Sequence, residues 1–180
     1  MKGIVFTEFL ELVENKFGLE TVEEVISACE LATDGAYTSI GTYDHKEMFQ
    51  MVAVLSKTKN ISVPDLLDIY GEHFFSVVAK GYPQFVQKND LFYFLESIDN
   101  YIHPEVLKLY PDAELPNFDS EVNPERSELI LIYTSKRAMS HFAIGLIKGA
   151  SKHYDQRLDI EVVSSRDNGE NVTIKLSLVE

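Results

Sequence analysis

The chain has 180 residues, of which 45% are hydrophobic and 25% charged, which suits one globular domain or two closely joined lobes with a real core. A net charge of −13 with scattered basic residues argues against nucleic acid, whose phosphates are held by clustered Lys and Arg. A lone Cys29 rules out an internal disulfide framework or a Cys-rich zinc site. Lys2 is followed only by "GIVF" before Thr7 and Glu8, which is no secretory signal, and no apolar run approaches the ~20 residues that span a bilayer. A cytoplasmic protein without a membrane segment is expected.

Phe6, Phe9, Leu10, Val13 and Phe17 form a helical stripe from Ile4 that Gly18 ends. Thr21 is placed to cap a second helix, with Glu24 completing a capping box. "TDGAYTSIGTYD" reads as a loop, and Asp44 then caps "HKEMFQMVAVLSKTKN". Ser62, with Pro64 in the first turn, opens "VPDLLDIYGEHFFSVVAKGYP". Asn89 or Asp90 caps "LFYFLESIDNYIHPEVLKLY". The pattern then changes. "ELPNFDSEV" and "SELILIYTS" read as strands around "NPERS", "KRAMSHFAIGLIKGASKHYD" as an amphipathic helix, and "LDIEVVSS" with "ENVTIKLSLVE" as a hairpin around "RDNG". A helical first half followed by β-β-α-β-β is an α+β arrangement.

Few residues stand out as chemistry. No His-Glu-x-x-His helix, phosphate-binding glycine loop or Gly-x-Ser-x-Gly elbow is present, and nothing argues for an enzyme. Among five histidines, His45 and His153 have polar neighbours, His73 and His141 lie beside phenylalanines, and His103 is the unusual one. It follows Leu91, Leu95, Ile98 and Ile102, a stripe that faces a core, and precedes Pro104. Proline disfavours α geometry in the residue before it, so the helix is expected to kink or restart here and turn the imidazole inward. Position alone fits either a core histidine satisfied by a carbonyl or a single-histidine haem ligand.

"LILIYTSKRAM" is the second unusual stretch. If extended geometry persists to Arg137, Tyr133, Ser135 and Arg137 share one face, opposite Ile132 and Thr134. Two hydroxyls and a guanidinium suit a carboxylate or phosphate entering an apolar cavity. They equally suit an edge strand whose polar face meets water.

Taken together, "MKGIVF", "YIHPEV" and "YTSKR" resemble the haem nitric oxide/oxygen binding family, H-NOX, which is related to the haem domain of soluble guanylate cyclase. The likeness runs over essentially the whole chain. It implies a single domain over 1–180, with a mainly helical subdomain at 1–60, a haem-binding subdomain at 61–180, and haem b buried between the helical and β-containing lobes. It implies His103 as the only protein ligand to iron, and Tyr133, Ser135 and Arg137 as clamps on the haem propionates. Pro116, thirteen residues after His103, matches a proline that presses the haem out of plane. Ile4 and Leu146 match apolar pocket walls. Oxygen-binding members carry a tyrosine on the helix after the clamp, and here that position is Phe142. The resemblance therefore implies a bacterial nitric oxide sensor that also takes carbon monoxide, with a histidine kinase or cyclic-di-GMP enzyme as separate partner. An O2-binding sensor and a haem-free interaction module are the alternatives. Some members carry a C-terminal Cys/His zinc site, and none is expected here because no Cys or His follows Leu158.

Overall fold

The computed structural model describes residues 1–179. These form seven α-helices and four strands: α1 (Gly3–Phe17), α2 (Leu19–Ser27), α3 (His45–Lys59), α4 (Val63–Gly81), α5 (Leu91–Glu96), α6 (His103–Leu109), β1 (Asn117–Val122), β2 (Glu128–Thr134), α7 (Ser140–His153), β3 (Leu158–Arg166) and β4 (Asn171–Leu178). The chain divides into two compact units inside α4, between Tyr70 and Gly71. Among the described residues, no helix is long and apolar enough to cross a membrane.

The first unit is helical. Phe6, Phe9 and Val13 bury one face of α1, and Met48, Met51, Val52 and Leu55 bury one face of α3. Asp44 caps α3 by accepting the Lys46 N–H at 3.0 Å. Thr21 does not cap α2 as expected. The helix starts three residues earlier, with Gly18 in the cap position, and Thr21 turns its hydroxyl back to the Phe17 carbonyl at 2.9 Å. A glycine at φ 87°, a backbone angle that other residues rarely adopt, lets α2 begin almost without a break after α1, so the hydroxyl is spent inside the helix. The buried Glu47 carboxylate accepts from the Thr33 and Tyr37 hydroxyls at 2.6 and 2.7 Å, which answers its desolvation.

The second unit is a four-stranded antiparallel sheet in the order β1-β2-β4-β3, with α7 packed on its inner face. Alternation along β2 buries Leu129, Leu131 and Tyr133 and turns Thr134 outward, with Ile132 41% exposed. Val172, Ile174 and Leu176 of β4 continue that inner face, and Ala143, Ile144, Ile147 and Ala150 of α7 meet it. Burying these side chains supplies about 25 cal/mol for each Å² removed from water.

Helices α4 and α7 approach closely because glycines face each other. A Cβ on Gly71 would lie 2.2 Å from the Phe142 carbonyl oxygen and 2.9 Å from Cα of Gly145. A Cβ on Gly149 would lie 2.6 Å from Cβ of Phe75. The Gly149→Ala variant is expected to lose about 1–3 kcal/mol of stability by overpacking, read as a lowered urea midpoint at unchanged slope.

Candidate functional site

The stretch after Asp90 is not one helix. Asp90 caps α5 by accepting the Tyr93 N–H at 3.0 Å. Ile98–Ile102 then forms a π-helical turn, in which the Ile102 N–H reaches the Ser97 carbonyl, before α6 begins at His103. Such turns insert a residue and re-aim the side chains around them. The expected restart at His103 occurs, but the expected departure from α geometry does not: His103 has φ −59° and ψ −44°. Pro104 fits because it sits in the first turn of α6, where a helix tolerates a missing N–H.

Only 16% of the His103 side chain is exposed. Its Nδ1 lies 2.8 Å from Oδ1 of Asp99, one helical turn earlier. That oxygen is buried and accepts no well-aligned hydrogen bond among the described residues, so the close imidazole is its compensating neighbour. The other carboxylate oxygen, Oδ2, accepts the backbone N–H of Phe118 in β1 at 2.9 Å. Asp99 therefore bridges the imidazole and the sheet. Burial lowers the His103 pKa below its ordinary value of 6.5, while the Asp99 carboxylate pulls it the other way. With Nδ1 turned to Asp99, the tautomer that bonds it leaves Nε2 as the lone-pair nitrogen.

Phe118 links this histidine to the second candidate group. Its ring centroid lies 6.0 Å from that of His103 and 5.6 Å from that of Tyr133, its register partner on β2. The Tyr133 phenol is buried, and its oxygen accepts the Met139 N–H at 2.9 Å. Burial holds its pKa above the usual value despite the opposing pull of Ser135, Met139 and Arg137, so the O–H proton is retained near neutrality.

Extended geometry does not persist to Arg137, contrary to the alternation argument. β2 ends at Thr134, and Ser135–Ala138 is a turn closed by the Ala138 N–H on the Ser135 carbonyl at 3.1 Å, with Ala138 at φ 49°. The Ser135 hydroxyl accepts the Arg137 backbone N–H at 3.2 Å. The turn, rather than strand alternation, brings Tyr133, Ser135 and Arg137 together. The Arg137 guanidinium donates to the Glu114 carbonyl oxygen at 2.7 Å and to its carboxylate at 2.6 Å. Glu114 precedes β1 by three residues, and Pro116, half-buried, lies between them.

The remaining candidates lie elsewhere. Phe142 and Leu146 are half-buried on α7, and the Phe142 ring lies 5.6 Å from that of Phe74. Ile4 is half-buried in the first turn of α1, where its N–H bonds the Ser39 carbonyl at 2.9 Å. Asp99, Phe118 and Glu114 were not among the candidates. The four-residue step from Asp99 to His103 was a usable signal for the first, whereas Phe118 and Glu114 become neighbours only through strand pairing and the turn.

The haem-NO-binding family model matches residues 2–162. The chain is similar to the Fe(II) unliganded H-NOX protein of K. algicida, with 45% identity over 100% of this chain and 97% of that one, and a TM-score of 0.95. It is similar to the Shewanella woodyi H-NOX in the Fe(II)CO state, with 36% identity over 98% and 94% of the two chains and a TM-score of 0.82. It is similar also to an S. oneidensis H-NOX in the Fe(II)NO state, with 25% identity over 100% of each chain and a TM-score of 0.91. The residues present suit that cofactor. A haem needs a neutral imidazole with one nitrogen free and donors for two carboxylates, and both sets stand on neighbouring elements of one unit.

Because the folded-state pKa of His103 lies below the unfolded value, the unfolded chain binds more protons as the pH falls. Stability of the haem-free protein is therefore full above about 6.5 and falls as the pH drops through the folded value. Urea midpoints at successive pH values are expected to show this decline in the wild type and a shallower one in His103→Asn. The chain belongs to the haem-NO-binding family, the H-NOX proteins, and its cofactor is haem.

Proposed function

We propose that this protein is a haem-based sensor that takes nitric oxide at ferrous iron, excludes O2, also accepts carbon monoxide, and signals to a separate partner rather than catalysing a reaction. When bound, the haem supplies a ferrous iron with one position for a protein nitrogen and one for a diatomic gas. His103 would offer that nitrogen through Nε2, with Asp99 orienting the ring from Nδ1. Tyr133, Ser135 and Arg137 would hold the propionates, and Pro116 would bear on the ring plane. Leu146 would be an apolar wall on the gas side.

Phe142 carries the choice of gas. Bound O2 takes on negative charge and is retained by a hydrogen-bond donor, which a phenyl ring cannot supply. Phe74 on α4 is one aromatic neighbour of Phe142, and its ring also carries no donor. Nitric oxide needs no such help. Release of His103 from the iron would act on α6, which has no buried residue of its own. Val106, partly buried, packs α6 against the core, and that contact would have to loosen for the helix to be displaced. A cytoplasmic histidine kinase or cyclic-di-GMP enzyme that distinguishes the two positions of α6 would complete the signal.

The reduced, haem-loaded protein is expected to keep its five-coordinate ferrous spectrum in air and to become a five-coordinate nitrosyl with nitric oxide. Phe142→Tyr is expected to gain an oxygen-dependent spectral change in air. A stable oxygenated spectrum in the wild type sinks the nitric oxide assignment, and no Soret band after reconstitution sinks the haem reading. Asp99→Asn replaces one of the two accepting oxygens, Oδ1 facing His103 or Oδ2 facing Phe118, by an NH2 donor. It is expected to lower the Fe–His stretching frequency and to weaken haem retention about 10–100-fold.

A further inference from the structure

The guanidinium of Arg137 already holds a carboxylate. Its side chain is 16% exposed, whereas the Glu114 side chain bonded to it is 83% exposed. Two contacts make the grip: one to the Glu114 carbonyl oxygen and one to its carboxylate. A backbone carbonyl aims the arginine without altering its charge. The carboxylate neutralises the arginine with a group of the same chemistry as a haem propionate. It stands on the segment between α6 and β1, two residues before Pro116.

We propose that the Glu114 carboxylate is a built-in rival to the haem carboxylates at Arg137, weakening its hold on bound haem. The proposal rests on the reading of Arg137 as a carboxylate clamp. The rival is weak by construction. An ion pair with one largely hydrated partner is weak, too weak to block an incoming cofactor but enough to shift its retention. Salt weakens such a pair further. The exposed side chain also has little to do with folding, so Glu114 can be changed without disturbing the core.

Glu114→Gln tests this directly, because it leaves the backbone carbonyl contact in place and removes only the charge. The full chain, loaded with ferric haem or with haem dimethyl ester, is mixed with an excess of a haem-scavenging protein, and Soret loss is followed. Glu114→Gln is expected to slow loss of free-acid haem about two- to five-fold, with the difference shrinking in high salt and absent for the ester. Faster loss of free-acid haem from Glu114→Gln overturns the proposal, since the carboxylate would then be positioning Arg137 rather than competing for it. Unchanged loss in both Glu114→Gln and Glu114→Ala overturns it too. Equal loss of ester and free-acid haem from the wild type removes the clamp reading itself.

Discussion

The Asp99 carboxylate is the point on which the site depends. Two donors from different elements converge on it: the His103 imidazole at the head of α6 and the Phe118 backbone amide in β1. An ionised carboxylate only accepts, so it serves both without conflict. It compensates a partly buried imidazole, and it answers the first residues of an edge strand that α6 leads into. Fixing the ring's orientation and anchoring the helix to the sheet are thus one interaction.

Phe118 extends that constraint. Its amide is held by Asp99, and its ring lies against both His103 and Tyr133. Register decides this, since Phe118 pairs with Tyr133 across β1 and β2. The imidazole and the phenol are therefore a single packed unit, and a change at either is felt by the strand between them. The hydroxyl and guanidinium of Ser135 and Arg137 are set differently, by a tight turn whose left-handed Ala138 turns the chain into α7.

Mobility follows the same division. The sheet and α7 share a continuous apolar core, and the glycine contacts of α4 with α7 leave no slack between them. Helix α6 is held by Asp99 at His103, by Val106 packed partly buried against the core, and by the Tyr82–Tyr110 hydroxyl contact of 3.1 Å at its close. The sheet core is thus more deeply buried than α6, which has no fully buried residue.

Local chemistry was legible in the sequence wherever the interaction is local. Asp44 and Asp90 cap the helices that follow them, the β-β-α-β-β order reads from periodicity, and Tyr133 falls on the inner face because alternate residues of a strand do. The motifs around His103 and Tyr133 were enough to identify the family that the whole-chain match establishes. Three features were decided only in three dimensions. The π-helical turn left His103 helical despite Pro104, because backbone bonds accepted by the Ser97 and Ile98 carbonyls outweighed the proline's local bias. The turn after Thr134, which no alternation rule anticipates, gathered Ser135 and Arg137. Pairing of β1 with β2 set Phe118 against Tyr133, and the Arg137 contact reached back to Glu114. Such neighbours are distant along the chain, and a propensity that acts over a few residues carries no information about them.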